Sequence, residues 1–269
     1  MPTLLLSPRG NDDTGALRAA ADAAPDWQAI TAPAWRLPED FAVPPPVAVY
    51  GDPLFADLAA MTLRLALLEP PLDFLTRLLH SFVRRSVRVG TLAEARTLSV
   101  PQFVKPAEDK SFEARVYETG AELPGVEAGL PEDMPVLIAE PVRWTTEYRC
   151  FVRDSAVAAM SPYFRRGRLA RDKKTGAWVS PPGERDAAEA FAGSVLAVAG
   201  GYLPAGVVLD VGRIAGQGWA VVEANPAWAS GIYGCAPAAV LPVVARSVVS
   251  REAVPAMDIA FVRSAIAVE

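Results

Sequence analysis

Val207-Val208-Leu209-Asp210-Val211 and, after a short break, Trp219-Ala220-Val221-Val222-Glu223-Ala224-Asn225-Pro226 decide how this chain is read. Both runs are apolar and β-branched, and Ala215-Gly216-Gln217-Gly218 between them supplies turn residues, so together they read as a β-hairpin. Asp210 stands near the end of one strand, and Glu223 and Asn225 stand at the end of its partner, so the turn brings the three together. Positions 223 and 225 differ by two, which puts both side chains on one face of an extended chain. Two carboxylates and an amide carbonyl are hard oxygen ligands, the set that suits Mg²⁺ bound together with phosphates. A soft-metal site is not expected, because the chain has one histidine, His80, and no closely spaced cysteines. Taken alone, an acidic strand end followed by Asn225-Pro226 reads more readily as a plain turn.

The residues upstream weigh against the plain turn. Lys105 lies in the strand Phe103-Val104-Lys105-Pro106, where a lysine among apolar residues needs a counter-charge, and a nucleotide phosphate is a natural one. Lys110, in the loop Ala107–Phe112, is placed to reach the same phosphates. Val136-Leu137-Ile138-Ala139-Glu140-Pro141-Val142 is an apolar strand that ends in a carboxylate. Backbone groups at that strand end, through Val142, suit an adenine edge, with Glu140 accepting from the adenine amino group. In Glu147-Tyr148-Arg149-Cys150-Phe151-Val152, residues 147, 149 and 151 share one face. Glu147 suits a ribose hydroxyl, and Arg149 offers a planar donor fork to a phosphate or a substrate carboxylate. A cross-strand ion pair on a solvated sheet face is the competing reading.

In order and context these pieces resemble the ATP-grasp superfamily. A strand lysine (Lys105) precedes a hinge acid (Glu140), then a Glu-x-Arg strand (Glu147, Arg149), then an Asp followed by Glu-x-Asn (Asp210, Glu223, Asn225). Lys105, Lys110 and Arg149 look most similar to the clade named for one arginine and two lysines. The resemblance covers about residues 100–235 and implies an α/β (α+β) fold. Its N-terminal α/β domain would span residues 1–99, and antiparallel-sheet nucleotide-binding subdomains would span residues 100–269. It implies ATP and Mg²⁺ as cofactors, with Lys105, Lys110, Glu140, Val142 and Glu147 on the nucleotide and Asp210, Glu223 and Asn225 on the metal. Arg149 and Lys110 would neutralise charge on the transferred phosphoryl group. The implied activity is a ligase that activates a carboxylate as an acyl phosphate and joins it to the amine of an amino acid, peptide or protein. A phosphotransferase or a non-catalytic nucleotide-binding module on the same fold are the alternatives. Under this reading, replacing Asp210 or Glu223 with alanine abolishes ATP turnover and leaves the fold intact. Two features depart from the superfamily. No lysine precedes Lys105, so either Arg84, Arg85 or Arg88 takes that phosphate contact or the contact is missing, and Asp109-Lys110-Ser111 offers only a short cover in place of a glycine-rich lid.

The remaining sequence frames this region. Residues 3–7 read as a buried strand, and Asp13 or Thr14 caps a helix to about Ala24. Strands follow at 27–30 and 47–50. Gly51-Asp52-Pro53 then opens a helix with Leu54, Leu58, Met61, Leu65 and Leu68 as its apolar face. Residues 73–83 read as another helix, with His80 in a structural role on its apolar face. Short strands are expected at 103–106, 113–118, 136–139, 149–152 and 156–160. Helices are expected at 186–199, 237–248 and 257–268.

The 269 residues carry a formal net charge of −5, which argues against a general nucleic-acid binder, since such binding rests on a basic surface. The segment Tyr163–Lys174 holds six basic residues and one acid. It reads either as a solvated loop or as an electropositive flap over an acidic substrate. No apolar run is long enough to span a bilayer, and the N-terminus lacks a secretory signal. Two cysteines give no disulfide framework. A cytoplasmic protein without membrane association follows as the expectation, and the apolar C-terminal helices are compatible with a homodimer.

Overall fold

The computed structural model describes residues 1–107 and 111–264. Strand β1 (Thr3–Leu6) is fully buried. It leads to α1 (Asp12–Ala23), β2 (Gln28–Thr31) and β3 (Val47–Tyr50). The three strands form a parallel sheet in the order β2-β1-β3. Helix α1 starts earlier than expected, because Asn11 is its cap. The Asn11 carboxamide accepts from the Thr14 amide at 2.8 Å, and the Thr14 hydroxyl accepts from the Asn11 amide.

Helix α2 (Pro53–Leu63) is capped by Asp52 as expected, but it buries a different face. Phe55, Ala56, Ala59 and Ala60 pack inward, whereas Leu54 and Met61 are more than half exposed. Arg64, with φ 52°, ends the helix, so Leu65 and Leu68 are not on it; β4 (Leu65–Leu67) follows. The small alanines let α2 lie close to the sheet, which leucines on that face would prevent. The expected 73–83 helix is two single turns, α3 (Phe74–Arg77) and α4 (His80–Val83), broken at Leu78 and Leu79 in extended backbone. His80 opens α4 and is exposed rather than set on an apolar face.

Strand β5 (Val87–Thr91) and helix α5 (Leu92–Arg96) come next. They are followed by β6 (Gln102–Pro106), β7 (Arg115–Tyr117) and β8 (Pro135–Ala139). These strands form a four-stranded antiparallel sheet, β5-β8-β6-β7, closed on one side by α5. Residue 99 falls between α5 and β6, so this sheet takes one of its strands from ahead of it.

A five-stranded antiparallel sheet completes the architecture. It contains β9 (Trp144–Arg153), β10 (Ala156–Arg165) and β11 (Arg168–Leu169). Helix α6 (Glu184–Ala199) precedes its last two strands, β12 (Gly206–Ile214) and β13 (Gly218–Pro226), and the order is β11-β10-β9-β12-β13. Helix α7 (Pro237–Arg246) and strand β14 (Val248–Ser250) then return to the N-terminal layer, where β14 pairs with β4. The expected helix over 257–268 is only a 3₁₀ stretch, Ala256–Phe261; residues 265–269 lie outside the described residues. No helix among the described residues is long and apolar enough to cross a membrane.

The period-2 alternation of β9 is what positions the site. Tyr148, Cys150 and Val152 point into the core beneath α6, with Val195 and Leu196. Phe151 points the opposite way, into the core shared with α7 and Leu4 and Leu6 of β1. Glu147 and Arg149 lie on the Phe151 face.

Candidate active site between the two antiparallel sheets

Asp210 on β12 pairs directly with Arg149 on β9 and with Glu223 on β13. The pairing to Glu223 depends on a bulge: Asp210 faces Glu223 while Val211 already faces Val221, so Val222 is the extra residue. Without it the register would place Val222 opposite Asp210. A bulge that re-aims a side chain is a common device beside functional sites.

A continuous chain of polar contacts results. The Lys105 Nζ donates to Glu223 Oε2 at 2.5 Å. The Asn225 amide nitrogen donates to Glu223 Oε1 at 3.0 Å and to Asp210 Oδ2 at 3.3 Å. Arg149 grips Asp210 with its fork, Nε to Oδ1 at 3.0 Å and Nη2 to Oδ2 at 2.6 Å, and gives Nη1 to the Gly231 carbonyl at 3.0 Å. Asp210 has no exposed surface, and the Arg149 side chain has 9%. In this arrangement the Arg149 fork is paired with Asp210. Glu223 and Lys105 remain partly open to a cleft.

The electrostatics follow from this packing. Burial pushes the Asp210 carboxyl up, partly offset by Arg149. Burial would likewise raise Glu223, but the Lys105 charge and hydrogen bond, with help from Asn225, outweigh it and hold this carboxyl down at about 2. Glu147 accepts the Tyr163 hydroxyl at 2.8 Å, yet burial and the neighbouring Asp210 and Glu223 charges push it up to about 7.

Glu147 therefore makes stability depend on pH. An ordinary glutamate loses its proton near 4.5 when unfolded, whereas this one keeps it in the native state to about pH 7. The native state binds the extra proton between those values, and stability falls as pH rises through that window. Glu147→Gln is expected to raise the melting temperature of the nucleotide-free protein at pH 8 and to change it little at pH 4. Thermal melts at the two pH values check this; an equal shift at both would remove the ionisation argument.

The cleft that Glu223 and Lys105 face, about 280 Å³, lies between the two antiparallel sheets. Phe103, Leu137, Ala139, Val142 and Trp144 give it apolar walls, and Arg85, Lys105, Glu140 and Glu223 stand around them. Glu140 is exposed, and its backbone amide donates to Ser86 O at 2.9 Å. Of the three arginines weighed for the missing cation, only Arg85 lines the cleft. Arg84 donates to the Trp219 carbonyl, and Arg88 pairs with Glu94 on the outside. Arg85 is buried, lies 5.1 Å from the Trp144 ring, and donates to the carbonyls of Val83, Val221 and Val222. Burial lowers its guanidinium to about 10, opposed by Glu223 and Glu147. A buried cation whose direct acceptors are all backbone carbonyls suits an anion arriving in the cleft.

A model of the ATP-grasp domain, family 2 of the clade named for one arginine and two lysines, matches residues 82–243. The chain belongs to this ATP-grasp family. No curated protein matches it significantly. Solved structures share the fold at low identity. The RimK-domain ATP-grasp protein from Sphaerobacter thermophilus DSM 20745 has a TM-score of 0.56 and 16% identity, over 91% of this chain and 98% of that one. D-cycloserine synthetase DcsG has a TM-score of 0.57 and 16% identity, over 91% and 99%. D-alanine–D-alanine ligase from Bacillus anthracis, complexed with ATP, has a TM-score of 0.51 and 12% identity, over 91% and 96%.

In this ATP-grasp chain the structure gathers Lys105, Arg149, Asp210, Glu223 and Asn225 into one contact chain, with Glu147 beside it. Glu140 and Val142 lie along the cleft wall. Lys110 and the Asp109-Lys110 part of the expected cover lie outside the described residues. Among the described residues no three His, Cys, Asp or Glu side chains alone gather into a metal site. The Glu223 carboxylate and the Asn225 side-chain amide nevertheless fit Mg²⁺ in kind as hard oxygen donors, with remaining positions of the sort that phosphates and water fill, while both Asp210 oxygens accept from Arg149.

Four contributors escaped the sequence reading. Asp13 accepts the Ile232 amide at 3.1 Å, bringing α1 to the edge of the site. Tyr163 and Tyr233 stack at 5.1 Å, with the Arg149 guanidinium 5.3 and 5.0 Å from their rings, and Trp178 meets Tyr233 edge-on. Gly234 was the available signal, because a Cβ there would collide with the Trp178 ring at 2.3 Å.

Proposed function

We propose that this protein is an ATP- and Mg²⁺-dependent ligase that activates a carboxylate as an acyl phosphate and joins it to an amine. The observation that carries the reading is the chain Lys105–Glu223–Asn225–Asp210–Arg149 at the mouth of an apolar cleft between two antiparallel sheets. It is supported by the ATP-grasp membership and by the ligases among proteins of the same fold. The reading places the protein in the cytoplasm, where ATP is supplied.

In this reading the apolar walls receive the adenine, with Glu140 and the backbone near Val142 at its edge. Glu223 and Asn225 would hold Mg²⁺, and Asp210, locked by Arg149, fixes where Asn225 sits. The metal supplies neutralisation of phosphate charge when bound. Lys105 and Arg85 bring positive charge to the phosphates, and Lys110 adds to it. The substrate carboxylate attacks the terminal phosphorus and ADP leaves, and the amine then attacks the acyl phosphate, releasing phosphate and a proton as the amide forms. No protein nucleophile is required, because phosphoryl transfer rests on positioning and electrostatics.

A screen for ADP release over pooled amino acids and short peptides, with mass spectrometry of the product, tests the reading. An amide formed with ADP and phosphate is the expected result. A persistent phosphorylated product would assign a phosphotransferase instead, and ATP binding without turnover on any pool would leave a nucleotide-binding module.

A further inference from the structure

The basic segment after Tyr163 is a built surface, not a loose loop. Arg166 and Gly167, at φ 49° and 74°, make the two-residue turn that joins β10 to β11, with Arg165 opposite Arg168. The chain then doubles back. Ala170 donates to the Tyr163 carbonyl, Val179 to that of Ala170, and Asp172 to that of Ala177. Asp172, the segment's one acid, is consumed by its own turn, where Oδ1 accepts from the amides of Lys174 and Thr175.

The basic side chains divide sharply. Arg165 is held inward by Glu184. Arg166, Arg168, Arg171, Lys173 and Lys174 are exposed, and among the described residues none has a carboxylate within salt-bridge distance. Five unneutralised cations on one double turn of a protein with net charge −5 form a local positive field. Three of them, Arg168, Arg171 and Lys173, line a concavity of about 1010 Å³ together with Phe164 and Leu169. Leu169 is 54% exposed there.

This surface packs against the candidate active site through aromatic residues, with Tyr163 buried. Its first residue, Tyr163, donates to Glu147 and stacks on Tyr233, and its return strand brings Trp178 against the same Tyr233. We propose that the 164–176 double turn docks an acidic peptide segment, the part of a substrate that flanks the carboxyl group to be activated. The surface is independent of the ligase reading, but the role assigned to its occupant rests on that reading. Apolar lining beside the cations suits peptide side chains. A nucleic acid would call for open aromatic platforms, and Phe164 instead packs edge-on against Tyr163.

The test uses the full chain and fluorescence anisotropy of a labelled hexaglutamate peptide, with labelled hexathymidylate for comparison. Hexaglutamate is expected to bind more tightly than hexathymidylate. The combined charge reversal Arg166→Glu, Arg168→Glu and Lys173→Glu is expected to weaken peptide binding by about tenfold or more. Glutamine at the same three positions is expected to give an intermediate loss. ATP affinity, measured separately, should not move. Unchanged peptide affinity in the reversed variant overturns the proposal, as does hexathymidylate binding as tightly as the peptide. Peptide capture that depends on the three cations without ADP release on any acidic peptide keeps the docking surface and removes the ligase reading. ADP release on small amino acids, in a protein that ignores hexaglutamate, does the reverse.

Discussion

Glu223→Gln is expected to cut ATP turnover by about 10³-fold, roughly 4 kcal/mol of transition-state stabilisation, while the protein stays folded. Glutamine keeps the length and the oxygen that faces Asn225, so the change removes charge and little else. Charge is what the position supplies. Lys105 holds this carboxyl down at about 2, so it is ionised across any working pH and is available to a cation without a prior proton loss. The variant also leaves Lys105 without its partner, at a cost in stability, since the two side chains are only 22% and 29% exposed. The sign of that cost against pH is fixed. A carboxyl whose native pKa lies below its unfolded value of 4.5 stabilises the fold above 4.5 and ceases to as pH falls toward 2. The stability gap between wild type and Glu223→Gln should therefore close over that interval in denaturant titrations. Wild-type rates of ADP formation in the variant would remove Glu223 from the nucleotide site altogether.

How far the sequence led depends on what each residue answers to. The hairpin carrying Asp210 and Glu223 was legible because alternation, turn residues and acid spacing all agreed. The shared face of Glu147, Arg149 and Phe151 was legible for the same reason. The bulge at Val222 was not, since nothing in Val221-Val222-Glu223 marks which valine falls out of register. Helix α2 misled through its leucines. Leu54 and Met61 repeat at helical spacing yet face outward, because close packing on the parallel sheet selects the alanines on the other side. Arg85 could not be separated from Arg84 and Arg88 by sequence, because its place depends on α4 meeting the carbonyls of β13. Tyr163, Tyr233 and Trp178 meet through tertiary folding of segments far apart in the chain, and a lone glycine at 234 is too faint a mark to announce them.

Asp210→Ala should behave unlike Glu223→Gln, and the contrast separates two roles that look equivalent in the sequence. Asp210 is fully buried, both of its oxygens are taken by Arg149, and Arg149 itself is almost fully buried. Burial would lower the Arg149 guanidinium, but Asp210's charge and hydrogen bonds reverse this and raise it above its ordinary range. Removing the carboxylate strands that guanidinium in the core beside Tyr163 and Tyr233, where among the described residues the Gly231 carbonyl is left to accept from it. Breaking a buried pair on one side costs about 3–5 kcal/mol. The alanine variant is therefore expected to lose that much in urea denaturation, together with turnover, and does not isolate catalysis from folding as a simple ligand deletion would. Replacing both partners, Asp210→Leu with Arg149→Met, is expected to recover most of the stability and none of the activity, because no charge is left buried and unpaired. If Asp210→Ala instead unfolds at the wild-type urea midpoint, Arg149 is not the partner that matters. Asp210 would then be free to act as a metal ligand in its own right.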